Sequence, residues 1–256
     1  MNIQAHTPVP ARGSRRQPDR SRKAILQAAL VEFGREGLAG ARVDAIAEAA
    51  GVNKALLYYY FHDKESLYGA VLDGFFERLL ERVMTVCDRP GTAGERFLSY
   101  VKAHFDSIAE SPYYAHIFMG ELMSASRGRP THLERVFAQY IQPVGQRIVG
   151  LLQEGIDQGE FRAVNPTQFA PSAVGSIVHY FLTAPLRRKF MNENPSSKQV
   201  IEERRASVLD FIAAALFTDR EAGVQLAAKI AAGDLDPEAG STHPEPGRRR
   251  KQRKRK

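Results

Sequence analysis

Residues 42–67 read RVDAIAEAAGVNKALLYYYFHDKESL, and this stretch decides the fold. Ile46, Ala47 and Ala50 recur at helical spacing, the run breaks at Gly51, Val52 and Asn53, and a second apolar run resumes with Leu57 and Phe61. The spacing predicts two short helices joined by a tight turn. Gly51 allows a sharp bend with positive φ, Val52 plugs the angle between the helices, and Asn53 is suited to cap the second helix. With Leu57 and Phe61 inward, Lys54, Ala55, Leu56, Tyr58, Tyr59 and Tyr60 surround the rest of a helix little more than two turns long. One Lys and three phenols on so short a helix suggest a binding surface.

Such a helix has the parts a DNA reader needs. Its N-terminus offers free N–H groups and a positive dipole end to phosphate. Lys54 can donate to a guanine edge, the Tyr hydroxyls can donate to phosphate oxygens, and Lys64 adds a charge at the start of the next helix. An ordinary antiparallel helix corner with packed aromatic residues has the same spacing.

Ile46-Ala47, Ala50-Gly51-Val52-Asn53-Lys54, Leu57-Tyr58-Tyr59-Tyr60-Phe61, Lys64-Glu65 and Leu67 together resemble the DNA-binding signature of the TetR family of transcriptional regulators. The likeness extends back through Ala24-Ile25-Leu26, Ala28-Ala29, Phe33 and Gly37. It implies an all-helical homodimeric regulator, usually a repressor, with a three-helix helix-turn-helix domain followed by a larger ligand-binding and dimerisation domain. A small molecule bound in the second domain would pull the two reading heads out of register. Carried over by position, base-edge contacts fall to Lys54, Ala55, Leu56 and Tyr59, and phosphate contacts to Tyr58, Tyr60 and Lys64, with Asn53 at the helix cap. The chain departs from the family where relatives often place a Thr or Ser cap on the second helix. It has Ala41 and Arg42 there, which removes a cap worth about 1 kcal/mol but leaves Arg42 as a phosphate ligand.

At 256 residues with 43% apolar content, the chain can bury a sizeable core. The single Cys87 excludes an intramolecular disulfide framework and fits a reducing cytosol, with helix packing as its expected role. No run reaches the roughly eighteen apolar residues of a membrane span, and the N-terminus lacks the apolar core of a signal peptide, so the expectation is a cytoplasmic protein. The net charge of +7 is concentrated at the C-terminus. The last nine residues, RRRKQRKRK, carry eight cations, and removing these from +7 leaves −1 for the remaining chain.

Residues 1–17 read as a disordered basic arm, 18–66 as the helix-turn-helix domain, 67–218 as the helical second domain, and 219–256 as a short helix, linker and basic tail. The first helix is expected over Asp19–Glu36. A long helix should run from Lys64 to Cys87, mechanically linking reading head and second domain. Thr92-Ala93-Gly94-Glu95 and Thr131-His132-Leu133-Glu134 both have capping-box spacing, and Pro143 should kink or divide the helix that the second box opens. Helices at about 166–186 and 198–217 carry more apolar surface than one partner face needs. This suggests a four-helix dimer interface, where the resemblance also places it; burial in the monomer's own core is the other reading.

Phe97, His104, Phe105, Tyr114, His116, Phe118, Met119, Met123, Tyr140, His179, Tyr180 and Phe181 are the candidate lining of an effector cavity. Core packing accounts for each singly; the collective case comes from the resemblance. Few ionisable groups interrupt these stretches, so a hydrophobic or aromatic effector is expected. No Gly-rich phosphate loop, nucleophile elbow or metal-spaced Cys/His cluster is present, and neither catalysis nor a cofactor is expected. Two functions compete: a ligand-responsive reader of near-palindromic double-stranded operators, and a largely non-specific nucleic-acid binder driven by the basic tail.

Overall fold

The computed structural model describes residues 16–129 and 131–233. The expected basic tail lies outside them, as does the expected N-terminal arm apart from Arg16 and Gln17. These two are helical instead: α1 spans Arg16–Gly40 and bends at Gly37, whose φ of 67° is open to glycine. The early start is possible because Pro18 falls in the first turn, where a missing N–H breaks no helical bond.

α2 (Val43–Ala49) and α3 (Lys54–Phe61) follow, then α4 (Lys64–Cys87). Ile25, Ala29, Leu30 and Phe33 of α1 enclose Ile46 and Ala47 of α2 and Leu57 and Phe61 of α3. This unit is closed by Leu67, Tyr68 and Val71 from the first turns of α4. The same helix carries Phe75, Phe76, Leu79, Val83 and Cys87 onward, so one apolar core runs continuously from head to body.

The body is built from α5 (Ala93–Glu110), α6 (Tyr113–Ala125), α7 (Leu133–Val136), α8 (Gln142–Asp157), α9 (Pro166–Leu182), α10 (Ala184–Phe190), α11 (Lys198–Leu216) and α12 (Arg220–Ala232). Extended pairing among the described residues is limited to one bridge between Phe161 and Phe217. α5 opens with a complete capping box: Thr92 Oγ1 accepts from Glu95 N at 3.1 Å, and Thr92 N donates to Glu95 Oε2 at 2.9 Å.

The second expected box does not form. His132 occupies the cap position of α7 without a side-chain cap bond, and Thr131 Oγ1 accepts from Leu133 N at 3.2 Å. His132 is tied elsewhere, because its own N–H donates to the buried Glu121 carboxylate at 2.6 Å. α7 then passes into a π-helical turn, Phe137–Ile141, before α8. Pro143 has no N–H for the carbonyl four residues back, and Gln142 N bonds five residues back to Phe137 O.

The apolar surplus expected on the helices at 166–186 and 198–217 is consumed within the protomer. Ala173, Ile177 and Phe181 of α9 and Val208, Leu209, Ile212 and Leu216 of α11 are all buried, with α12 closing the core through Ala227 and Ile230. Periodicity could not show that α12 would take up part of the face assigned to a partner. What α9 exposes is small or polar: Ser172 and His179, with Pro171 and Gly175 at the rim of a cavity. α11 exposes one large apolar ring, Phe211, at 62%.

A Cβ on Gly155 would overlap the Phe161 ring, which is itself held edge-on by Phe97 and Phe217 at centroid distances of 6.0 and 5.1 Å. Gly155→Ala is therefore expected to destabilise by about 1–3 kcal/mol through overpacking, although Ala gains roughly 1 kcal/mol in helix propensity. Urea unfolding measures this, and an unchanged or raised midpoint would show that the Phe161 ring yields.

Candidate nucleic-acid interface and internal cavity

The candidate reading helix, α3, is fixed from both ends. Gly51, at φ 66°, turns the chain after α2. Asn53 Oδ1 accepts from Leu56 N at 2.7 Å and starts α3. Leu57 and Phe61 anchor the helix in the core, which leaves Lys54, Ala55, Tyr58 and Tyr59 exposed and Leu56 and Tyr60 half-buried. Tyr59 is 76% exposed, its ring edge-on to Tyr60 at 5.4 Å. Arg42 is exposed on the same unit and caps α2 with no side-chain bond, its N–H donating to Glu32 Oε1 at 3.0 Å.

Two of the cations expected to contact DNA have partners within the protomer. Lys54 Nζ pairs with Asp44 at 2.9 Å, both side chains being at least half exposed. That hydrogen bond, and then the carboxylate's charge, raises the Lys54 pKa and keeps the ammonium protonated. Lys64 turns inward, donating to the carbonyls of Ala39 at 3.3 Å and Ala41 at 3.2 Å. It ties the end of α1 to the start of α4, satisfying carbonyls that a helix terminus leaves free. These bonds help position the helix-turn-helix head against α4.

Between α4, α5, α6, α8, α9 and the π turn lies a cavity of about 560 Å³, within the range of small-molecule sites. Of the candidate lining residues, His104, Tyr114, Phe118, Met119 and Tyr140 border it. The other candidates do not. Phe97 packs against Phe161 and Phe169, and Phe105 lies 5.2 Å from Phe181 in the core. The Tyr180 hydroxyl donates to Pro195 O at 2.9 Å. His116 Nδ1 lies 3.3 Å from Pro112 O, while Met123 and His179 sit on the surface. Sequence reasoning missed the walls from α4 (Phe75, Phe76, Leu79), α8 (Val144, Gly145, Ile148) and α9 (Pro171, Val174). Their spacing signalled burial, and nothing in it distinguishes an atom facing empty volume from one facing a neighbour.

Burial pulls the pKa of His104 down to about 4, so the ring is neutral near pH 7. The unfolded chain takes up this proton below about pH 6.5, whereas the folded chain refuses it until about pH 4. Stability is therefore present above the unfolded pKa and falls as the pH drops through this window, by up to about 3 kcal/mol. Urea titrations of wild type and His104→Phe at pH 7, 5.5 and 4.5 check this. A stability difference that does not vary with pH would remove His104 as its source. Cys87 is fully buried, and its thiol is pushed up to about 11, chiefly by burial.

The sequence model described as "Bacterial regulatory proteins, tetR family" matches residues 25–71, and that described as "Tetracyclin repressor-like, C-terminal domain" matches residues 95–212. The chain belongs to the TetR family of transcriptional regulators. The HTH-type transcriptional repressor SCO4008 of Streptomyces coelicolor is 38% identical over 92 residues, 35% of this chain and 46% of that protein, so this match spans under half of that repressor. The HTH-type transcriptional repressor KstR2 of Mycobacterium tuberculosis is 29% identical over 147 residues, 57% of this chain and 72% of the relative. A solved gamma-butyrolactone receptor, an ArpA-like protein, shares the fold with a TM-score of 0.63 at 19% identity, covering 84% of this chain and 98% of its own. Regulators of this family bind DNA and small-molecule effectors and act as dimers. Among the described residues no helix is long and apolar enough to cross a membrane.

In this TetR-family chain the cavity and the reading head share two walls. α6 borders the cavity through Tyr114 and Phe118, while the neighbouring Tyr113 presses on α1 so closely that a Cβ on Gly34 would lie 2.5 Å from its ring. The second contact is polar. Glu121, 5% exposed, accepts from His132 N, while the His132 ring lies 5.5 Å from that of Tyr68 and meets Glu65 at 3.0 Å. Glu65 and Tyr68 lie in the first turns of α4, only a few residues after α3 ends. On the cavity side the same segment continues into the π turn, whose Tyr140 and Ile141 line the wall.

Proposed function

We propose that the chain is a homodimeric repressor that reads a near-palindromic operator with α3 of each protomer and is released by a small hydrophobic or aromatic effector in the internal cavity. The observation that carries the reading is the outer face of α3. A phenol 76% exposed beside Lys54 and Ala55, on a helix anchored by buried Leu57 and Phe61, meets the neighbouring Tyr60 ring at its edge and otherwise faces outward. Lys54, Ala55, Leu56 and Tyr59 are assigned to base edges, and Arg42, Tyr58 and Tyr60 to phosphates, with Asn53 holding the start of the helix. Lys64 is assigned to holding α1 against α4. Dimerisation is assigned to the outward faces of α9 and α11, where Gly175 and Ser172 allow close approach and Phe211 supplies an apolar ring. Two symmetry-related α3 helices would then sit about 34 Å apart, or a multiple of it.

Selection of bound sequences from random duplex DNA, using protein truncated before Arg248 at physiological salt, tests this reading. An enriched near-palindrome is expected. Absence of enrichment, with binding restored only by the basic tail, would instead favour the non-specific binder.

A further inference from the structure

Among the described residues no Lys, Arg, Asp or Glu side chain borders the cavity. A charged group placed against these walls would give up part of its hydration with no opposite charge to meet it. The wall also carries the hydroxyls of Tyr100, Tyr114, Tyr140 and Thr167, and three of these have polar partners outside the cavity. Tyr114 accepts from Arg78 at 3.2 Å, Tyr140 lies 3.3 Å from Asp73 and 3.4 Å from Glu77, and Thr167 donates to Asn165 Oδ1 at 2.7 Å.

His104 differs from them. It borders the cavity while only 9% exposed, its ring stands edge-on to Tyr100 at 5.8 Å, and its Nδ1 is sealed with no hydrogen-bond partner. A proton on Nδ1 would be a buried donor without an acceptor, which is unfavourable. The neutral ring therefore carries its proton on Nε2, the ring nitrogen that is not sealed in this way. We propose that the His104 Nε2–H, set in this wall without charged side chains, is a donor that recognises an uncharged carbonyl oxygen on a hydrophobic effector. The inference rests on the reading of the cavity as the effector site, and it narrows that effector to neutral carbonyl compounds, excluding free carboxylates.

The test uses the full chain and the uncharged dye N-phenyl-1-naphthylamine, whose fluorescence rises in apolar surroundings. Benzophenone, diphenylmethane and diphenylacetate compete for the dye, the first two differing by a carbonyl in place of a methylene. Benzophenone is expected to displace it at about one tenth the concentration of diphenylmethane, although the hydrocarbon is the more apolar, and diphenylacetate is expected to fail. In His104→Phe the ratio should fall to about one. Should that variant not fold, nitrogen-15 spectra of histidine-labelled wild type give a second measurement. They should show the Nε2–H tautomer, shifted by benzophenone and not by diphenylmethane. Bound dye displaced equally by ketone and hydrocarbon overturns the role of His104 and leaves the cavity as a binding site. Failure of the dye and all three compounds to bind removes the effector reading and this inference with it.

Discussion

Lys54→Ala is expected to weaken discrimination at one or two operator positions by between about 5- and 150-fold, with no change in melting temperature. The folded state does not depend on this side chain, because its partner in the free protein is an exposed carboxylate, Asp44, and exposed pairs contribute little. On DNA the ammonium would exchange Asp44 for a base edge. Asp44→Ala separates the two roles. It leaves Lys54 free and removes a negative charge near the phosphates, so affinity for operator and scrambled duplex should rise together. Fluorescence anisotropy on an operator and its single-position variants, at one fixed salt concentration, measures both. A uniform loss for Lys54→Ala across all duplexes would place it on a phosphate and displace the proposed docking of α3.

The reading head is legible in the sequence because its determinants are local. Gly51, the Asn53 cap and the inward pair Leu57 and Phe61 act within one or two turns, and spacing reports them directly. The Thr92 box is legible for the same reason. Features decided by distant partners are not. Lys64 faces carbonyls more than twenty residues earlier in the chain, and at Thr131 the box gives way to a bond from Leu133 N while Glu121 accepts from the neighbouring His132 N–H. The cavity is the extreme case. Tyr114 and Phe118 line it while Phe97 and Phe105 do not, and all four are aromatic residues on inward helix faces. Which of them meets empty volume depends on how six segments stand apart, and the π turn created at Pro143 sets part of that spacing.

Gly145→Phe is expected to lower N-phenyl-1-naphthylamine uptake more than tenfold while operator binding persists, giving a repressor that its effector no longer releases. Gly145 lies on α8 in the cavity wall, and a Cβ there meets nothing within 4 Å. The new ring can therefore enter the cavity without displacing backbone, and it should fill apolar volume that a ligand would otherwise occupy. Glycine in a helix interior costs about 1 kcal/mol relative to Ala, so Gly145→Ala should be slightly more stable than wild type and still take up the dye. This pair separates occupancy from backbone effects: only the Phe variant blocks the cavity, while both remove the glycine. Undiminished uptake by Gly145→Phe would place the dye elsewhere on the protein. Loss of operator binding in that variant, with its melting temperature unchanged, would mean that a filled cavity itself drives release. The introduced ring would then act as a permanent effector through Tyr140, α6 and the Gly34–Tyr113 contact.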